Sequence, residues 1–314
     1  MDDSGRIATP ERIEVRPMFT GLSAFPLTPM SETEIDESAF SGIVSRLADA
    51  GVDSISALGS TGSYAYLTRE ERKRVAQLAV AAAGTTPVMI GIGSLRTAHV
   101  RALAEDAQDA GAAAVLLAPM SYQQLTAEEV FGLYEAVTRE LSVPLCIYDN
   151  PGTTHFTFTD ELHGRIAALP KIGSIKIPGV PVDPAEAAGR VRSLRSQIPS
   201  TVTIGVSGDA SAATGLNAGC DVWYSVLAGV LPTPCLALTR ASQNGDQDTA
   251  TELSNRLEPI WELFRAHGSV RVVSAVAEHL GLVESPNLPQ PVRGLDAATR
   301  SRVTAALEQV DDLL

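Results

Sequence analysis

The stretch IGSIKIPG, residues 172–179, reads as a strand that is apolar almost throughout, except that Lys176 stands between two isoleucines near its end. Near-continuous aliphatic runs of this length are expected where helices cover both faces of a sheet. Runs of the same kind recur along the chain as FTGLSAFPL, SISALG, PVMIGIG, AAVLLAP, PLCIYDNP, TVTIGVSG and VWYSVLAGV. Between them lie ESAFSGIVSRLADAG, TREERKRVAQLAVAAAG, TAHVRALAEDAQDAG and TAEEVFGLYEAVTRE, with apolar residues at three- and four-residue spacing and glycine near several ends. The unit is strand then helix. About eight units at roughly 30-residue spacing predict an α/β fold, the closed (β/α)8 TIM barrel. An open doubly wound sheet would show fewer units and a glycine-rich dinucleotide turn after its first strand.

After Pro232 the strand-like runs stop and helical patterns follow through PCLALTRASQNG, DTATELSNRLEPIWELFRAHG, SVRVVSAVAEHLG and AATRSRVTAALEQVDDLL. A barrel over residues 18–232 and a C-terminal helical appendage over 233–314 are therefore expected. The proline-rich VESPNLPQPVRG should connect the last helices as an ordered loop. Residues 1–17 are polar, carry both charges and lack the apolar core of a signal peptide. They read as a flexible arm.

The chain of 314 residues is 45% apolar and 19% charged, ample for a core. Its formal net charge of −13 opposes docking on nucleic-acid phosphates or anionic lipid. REERKR, residues 69–74, mixes signs and reads as a solvated helix face. No apolar run approaches the roughly 18 residues of a membrane span, so a cytoplasmic protein without nucleic-acid or membrane partners is expected. Cys146, Cys220 and Cys235 are far apart and odd in number, which disfavours disulfides and zinc knuckles and predicts small core residues. His99, His155, His163, His267 and His279 show no ligand spacing, so no metal site is expected.

The only lysines are Lys73, Lys171 and Lys176. In a barrel, Lys176 falls on the sixth strand and Tyr148 on the fifth, both near the C-terminal ends where barrels place their chemistry. An amine among apolar groups loses hydration of its charged form, so a neutral nucleophile becomes available to attack a ketone. Lysine can also snorkel from a strand end, and tyrosine can be ordinary core; the rarity of lysine and the matched pair favour chemistry. The second strand ends in ALGSTGS, residues 57–63, which offers backbone N–H groups and the hydroxyls of Ser60 and Thr61 to an anion. The same residues could merely cap a βα turn. A carboxylate site beside an amine suits a 2-keto acid.

With these residues in place, the chain resembles the dihydrodipicolinate synthase and N-acetylneuraminate lyase superfamily of class I, Schiff-base aldolases, over most of its length. GSTG at 59–62 is similar to the family's GTTGE turn, IYDNPG at 147–152 to its YNxP segment, SIK at 174–176 to its GIK, and SGDAS at 207–211 to its SGDD turn. The resemblance implies a lysine imine between Lys176 and a pyruvate-like keto acid, with no separate cofactor. It implies Tyr148 as proton shuttle with Ser60 as relay partner, and a carboxylate held at Ser60 and Thr61, with Gly59, Gly62 and Gly208 in the binding turns. It further implies an aldehyde as second substrate and a homo-oligomer, dimer or tetramer.

Departures from the family pattern bear on specificity. Thr153 stands where dihydrodipicolinate synthases carry an arginine that clamps the second substrate's carboxylate, so aspartate semialdehyde should be a poor substrate. Ser63 replaces the turn glutamate. The second tyrosine of the family's relay, lent by a neighbouring subunit, aligns with Ser121, with Tyr122 one place off. Ala210 follows Asp209 where sialic acid lyases carry an acidic residue. His155 is a further candidate contact for the second substrate, and Asp209 is expected to orient its turn or cap the following helix. The leading expectation is a pyruvate-type lyase, aldolase or synthase. A true dihydrodipicolinate synthase, a sugar-acid dehydratase using the same iminium, and a keto-acid-binding barrel without turnover remain alternatives.

Overall fold

The computed structural model describes residues 18–313, so the expected arm over 1–17 lies outside the described residues. Among the described residues, β1 (Gly21–Ala24), β2 (Ser54–Ala57), β3 (Val88–Gly91), β4 (Ala114–Leu117), β5 (Leu145–Tyr148), β6 (Ile172–Ile177), β7 (Thr203–Val206) and β8 (Val222–Ser225) pair in parallel and in sequence order. The β1–β8 pairing closes the barrel. Outside it run α1 (Glu37–Ala50), α2 (Arg69–Ala82), α3 (Thr97–Asp109), α4 (Ala127–Thr138), the single turn α5 (Pro151–Thr154), α6 (Asp160–Ala167), α7 (Pro184–Arg195), α8 (Ala212–Asn217) and α9 (Pro232–Gln243). The expected (β/α)8 architecture is the observed one.

Strand pleating sends alternate side chains to opposite faces. In β6, Ile175 and Ile177 join the large apolar layer beneath the helices. Ser174 and Lys176 share the opposite parity and point inward, where Phe25, Met89, Leu116, Cys146, Tyr148 and Tyr224 form a separate inner cluster. Inside, the Tyr224 hydroxyl lies 2.7 Å from Ser174 Oγ. The three cysteines are buried and free.

Helix ends follow local chemistry. Thr68 with Glu71 opens α2, and Thr126 with Glu129 opens α4, each as a reciprocal capping box. The REERKR segment differs from its expectation at one residue. Arg69, Lys73 and Arg74 do face outward in ion pairs. Arg72 instead shares the inward face with Val75, Ala76 and Ala79, and its guanidinium donates to the carbonyls of Gly91 and Gly93, both at 2.8 Å. The two carbonyl acceptors pair the terminal nitrogens of this buried guanidinium, while its Nε is buried without a hydrogen-bond partner among the described residues.

The helix that begins at Pro232 packs against β1, α8 and α1 and completes the outer ring. The appended helices thus begin beyond the expected boundary at 232, with α10 (Gln247–Arg256), α11 (Glu258–His267), α12 (Ser269–His279) and α13 (Ala297–Glu308). The DTATELSNRLEPIWELFRAHG pattern is two helices because Pro259 has no N–H to offer the carbonyl four residues earlier, and it opens α11 instead. Residues 283–294 connect α12 to α13 without regular structure, as expected. Asn287 anchors this connector: its carbonyl accepts from Met30 N at 3.2 Å and its side chain from Ser274 Oγ at 2.8 Å. Among the described residues no helix is long and apolar enough to cross a membrane.

Candidate active site

The parallel register of β5 and β6 makes Tyr148 and Lys176 direct Cα partners, so both side chains rise together at the C-terminal mouth. Lys176 is 3% exposed. Its Nζ has no hydrogen-bond partner among the described residues and lies 4.5 Å from the Phe25 ring centroid, 4.9 Å from Tyr148 and 5.4 Å from Tyr224. Burial pushes the ammonium down to about 8, against weaker opposition from Asp209 and Cys146. Three aromatic faces stabilise the cation less than the water they exclude would. The result is an amine with about a tenth of its population neutral near pH 7, far more than an ordinary lysine offers.

The Tyr148 hydroxyl lies 3.3 Å from Ser60 Oγ and accepts from Asn150 Nδ2 at 2.9 Å. The same amide nitrogen is 3.4 Å from Ser60 Oγ. Burial raises the phenol's pKa, and the bonds to Ser60 and Asn150 offset part of that rise. Ser60 is held in place by a strained turn. Leu58 at φ 57° and Ser63 at φ 55° flank it in the left-handed region, which non-glycine residues avoid and which costs on the order of 1–3 kcal/mol each. Gly59 lets the turn lie on Phe25, since a Cβ there would sit 2.7 Å from the ring. Thr61 is 3% exposed, faces the cavity and has no hydrogen-bond partner among the described residues.

These groups floor a cavity of about 510 Å³. Ser207, Gly208 and Ser211 form one wall, with Gly208 at φ 77°. Trp261, Phe264 and the segment from Gly268 to Arg271 roof it from α11 and α12. Arg271 Nε donates to the Arg293 carbonyl at 3.1 Å, and this residue also borders an adjoining cavity with Ser60 and Thr153. The cavity carries a single carboxylate, Asp209, whose oxygens accept from Trp223 Nε1 at 2.9 Å, Val226 N at 3.2 Å and Leu227 N at 2.8 Å. Asp209 therefore ties the loop after β7 to the turn after β8. It does not cap α8, whose N-cap is Ser211.

The fold gathers Lys176, Tyr148, Ser60, Thr61, Thr153 and Gly208 around this cavity, with Gly59 and Gly62 buried in the turn beneath it. His155 is not brought there, and Tyr122, one place from the position where the family's tyrosine is lent by a neighbouring subunit, does not line the cavity of its own chain. His155 closes α5 in the left-handed conformation, its N–H bonded to the Pro151 carbonyl, and is exposed. Tyr122 is 90% exposed beyond β4, and Ser121 Oγ is engaged by the Gln123 carbonyl. Missing from the sequence reading were Phe25, Asn150, Tyr224 and the α11–α12 roof. An aromatic at the end of the first run and another in the last were visible signals for the box around Lys176. The roof left only Gly268 between two helical patterns, which does not say where that bend docks.

Fold and site together define a (β/α)8-barrel enzyme with a desolvated lysine and a hydrogen-bonded tyrosine at its mouth. The Dihydrodipicolinate synthetase family matches residues 18–310, and the chain belongs to that family of carbon–carbon lyases. It is 30% identical over 298 residues to a 4-hydroxy-tetrahydrodipicolinate synthase of Phenylobacterium zucineum, covering 93% of this chain and 98% of that protein. A second relative of the same name, from Parvibaculum lavamentivorans, is 31% identical over 295 residues, covering 92% and 98%. The crystal structure of a dihydrodipicolinate synthase from Agrobacterium tumefaciens superposes with a TM-score of 0.90 at 47% identity, covering 93% of this chain and 98% of that one.

Proposed function

We propose that the protein is a pyruvate-type class I lyase, an aldolase or synthase, that works through a Schiff base between Lys176 and a 2-keto acid. The observation that carries the reading is the Lys176 amine, desolvated, without a hydrogen-bond partner among the described residues and beside Tyr148 in register. The neutral Nζ attacks the keto carbon, and loss of water from the carbinolamine leaves an iminium. That cation is the electron sink, so no separate cofactor is required: removal of a methyl proton gives an enamine, whose carbon attacks an aldehyde, and the reverse sequence cleaves the same bond. Tyr148 carries protons to and from the carbinolamine and the new alkoxide, with Ser60 as partner. Thr61 and the backbone N–H groups of its turn hold the carboxylate. A homo-oligomer accompanies this reading, supported by the large apolar side chains Tyr122, Leu95 and Val182 left exposed.

Borohydride reduction in the presence of a panel of 2-keto acids, followed by peptide mass spectrometry, tests the chemistry. A single adduct on Lys176, abolished in Lys176→Arg because a guanidinium stays protonated, is expected. An adduct on Lys73 or Lys171 refutes the assignment. A narrower reading, 4-hydroxy-tetrahydrodipicolinate synthase itself, is favoured by the names of the relatives and by Arg271, a cation at the rim that could pair a second carboxylate where Thr153 cannot. Turnover of pyruvate with aspartate semialdehyde in a coupled assay decides for or against it.

A further inference from the structure

Asn150 occupies the N-cap of α5, a position asparagine favours because its side chain can accept from the first helical N–H groups. It makes no such bond. Its backbone carbonyl alone gathers the turn, accepting from Thr153 N at 3.1 Å, Thr154 N at 3.0 Å and Thr154 Oγ1 at 3.0 Å. The amide is released from capping, borders the cavity, and directs its nitrogen at two hydroxyls, Tyr148 at 2.9 Å and Ser60 at 3.4 Å. Among the described residues the only other side chain in hydrogen-bond contact with the Tyr148 oxygen is Ser60, and in that contact either hydroxyl can be the donor. Neither Ser121 nor Tyr122 of this chain takes part.

A primary amide nitrogen only donates, so its two hydrogens dictate the sense of both contacts. Tyr148 and Ser60 each accept from Asn150. They have two hydroxyl hydrogens between them and one mutual contact, at 3.3 Å, which can use only one of the two. The other is left over, on one of two hydroxyls that line the cavity together with Lys176. We propose that Asn150 is a positioning residue that fixes the Tyr148 oxygen as an acceptor and thereby aims a hydroxyl proton at the lysine-bound substrate, a role that rests on the Schiff-base reading above. When Tyr148 releases its proton, the same donor stabilises the phenolate, a charge-assisted bond stronger than the neutral one. The titratable groups facing Tyr148 are Lys176, Cys146 and Tyr64.

The test uses the full chain and pyruvate alone. Exchange of the pyruvate methyl hydrogens in D2O, followed by NMR, reports proton transfer, while cyanoborohydride trapping reports imine formation. Asn150→Ala removes the donor, and Asn150→Asp keeps the size but replaces the donor with an acceptor. Both should form the Lys176 adduct at pyruvate concentrations within about threefold of those the unsubstituted protein needs, yet exchange at least about tenfold more slowly, with Asn150→Asp the slower. The alkaline limb of the exchange profile should move to higher pH in Asn150→Ala, because the phenolate has lost its donor. Unchanged exchange in Asn150→Asp overturns the proposal, as does a loss with an unshifted limb, which would mark a merely structural role. If the unsubstituted protein forms no adduct, the Schiff-base reading fails and the proposal falls with it. An adduct with normal exchange in both variants overturns the role of Asn150 alone.

Discussion

The desolvation of Lys176 makes a quantitative claim on pH. Its ammonium is pushed from 10.5 to about 8 by burial among Phe25, Tyr148 and Tyr224. With that value about one tenth of the protein carries neutral amine near pH 7 and about nine tenths near pH 9. The initial rate of imine formation with pyruvate should therefore rise about tenfold across that interval and then level off. An ordinary lysine would rise about a hundredfold over the same range and still be climbing at about pH 10. Rapid-quench cyanoborohydride trapping, with the Lys176 peptide quantified by mass spectrometry at each pH, measures the curve directly. A plateau reached only above about pH 10 would refute the argument that the aromatic box sets the amine's basicity. A plateau below about pH 7 would mean that the opposition from Asp209 is weaker still than the structure implies.

Tyr148→Phe should retain the fold and the Lys176 adduct but lower kcat by about 10²- to 10⁴-fold, the usual range for lost acid–base help; unchanged turnover would leave Tyr148 as packing. For specificity, a charge-assisted contact to a carboxylate contributes roughly 1.5–3 kcal/mol, or at least about tenfold. Thr153→Arg should raise, and Arg271→Gln lower, kcat/KM for aspartate semialdehyde relative to a neutral aldehyde of similar size, and a flat ratio in both would remove both positions from carboxylate recognition. A fourth expectation concerns stability. Asp149, pushed from 3.8 to about 7 by burial, binds more protons folded than unfolded across that window, so its contribution to stability falls as pH rises through it. His163, 3.5 Å away and pushed from 6.5 down to about 4 by burial, acts in the opposite sense between those values. In urea unfolding, the stability of the unsubstituted protein minus that of Asp149→Asn should decline between about pH 4 and 7; a flat or rising difference would contradict this.

The sequence by itself determined the repeating unit and the position of the chemistry. Periodicity is a local property: strands covered on both faces must be apolar throughout, and helices must show their three- and four-residue spacing, so IGSIKIPG and PLCIYDNP declare themselves without tertiary contacts. Once they are neighbouring strands of one parallel sheet, pleating and register bring Lys176 and Tyr148 side by side. Tertiary structure alone decided where side chains with two options went. Arg72 lies in a mixed-charge run yet turns inward, because the Gly91 and Gly93 carbonyls stand within reach. Asn150 could have capped its own helix but reaches Tyr148 and Ser60, a choice that depends on the turn after β2, 90 residues away in sequence. His155 stands close in sequence to a motif position, yet its loop directs it to solvent. The roof over the cavity comes from α11 and α12, and no pattern in those helices says which barrel mouth they cover. Docking depends on the summed fit of long-range apolar contacts, which becomes defined only when the barrel has closed.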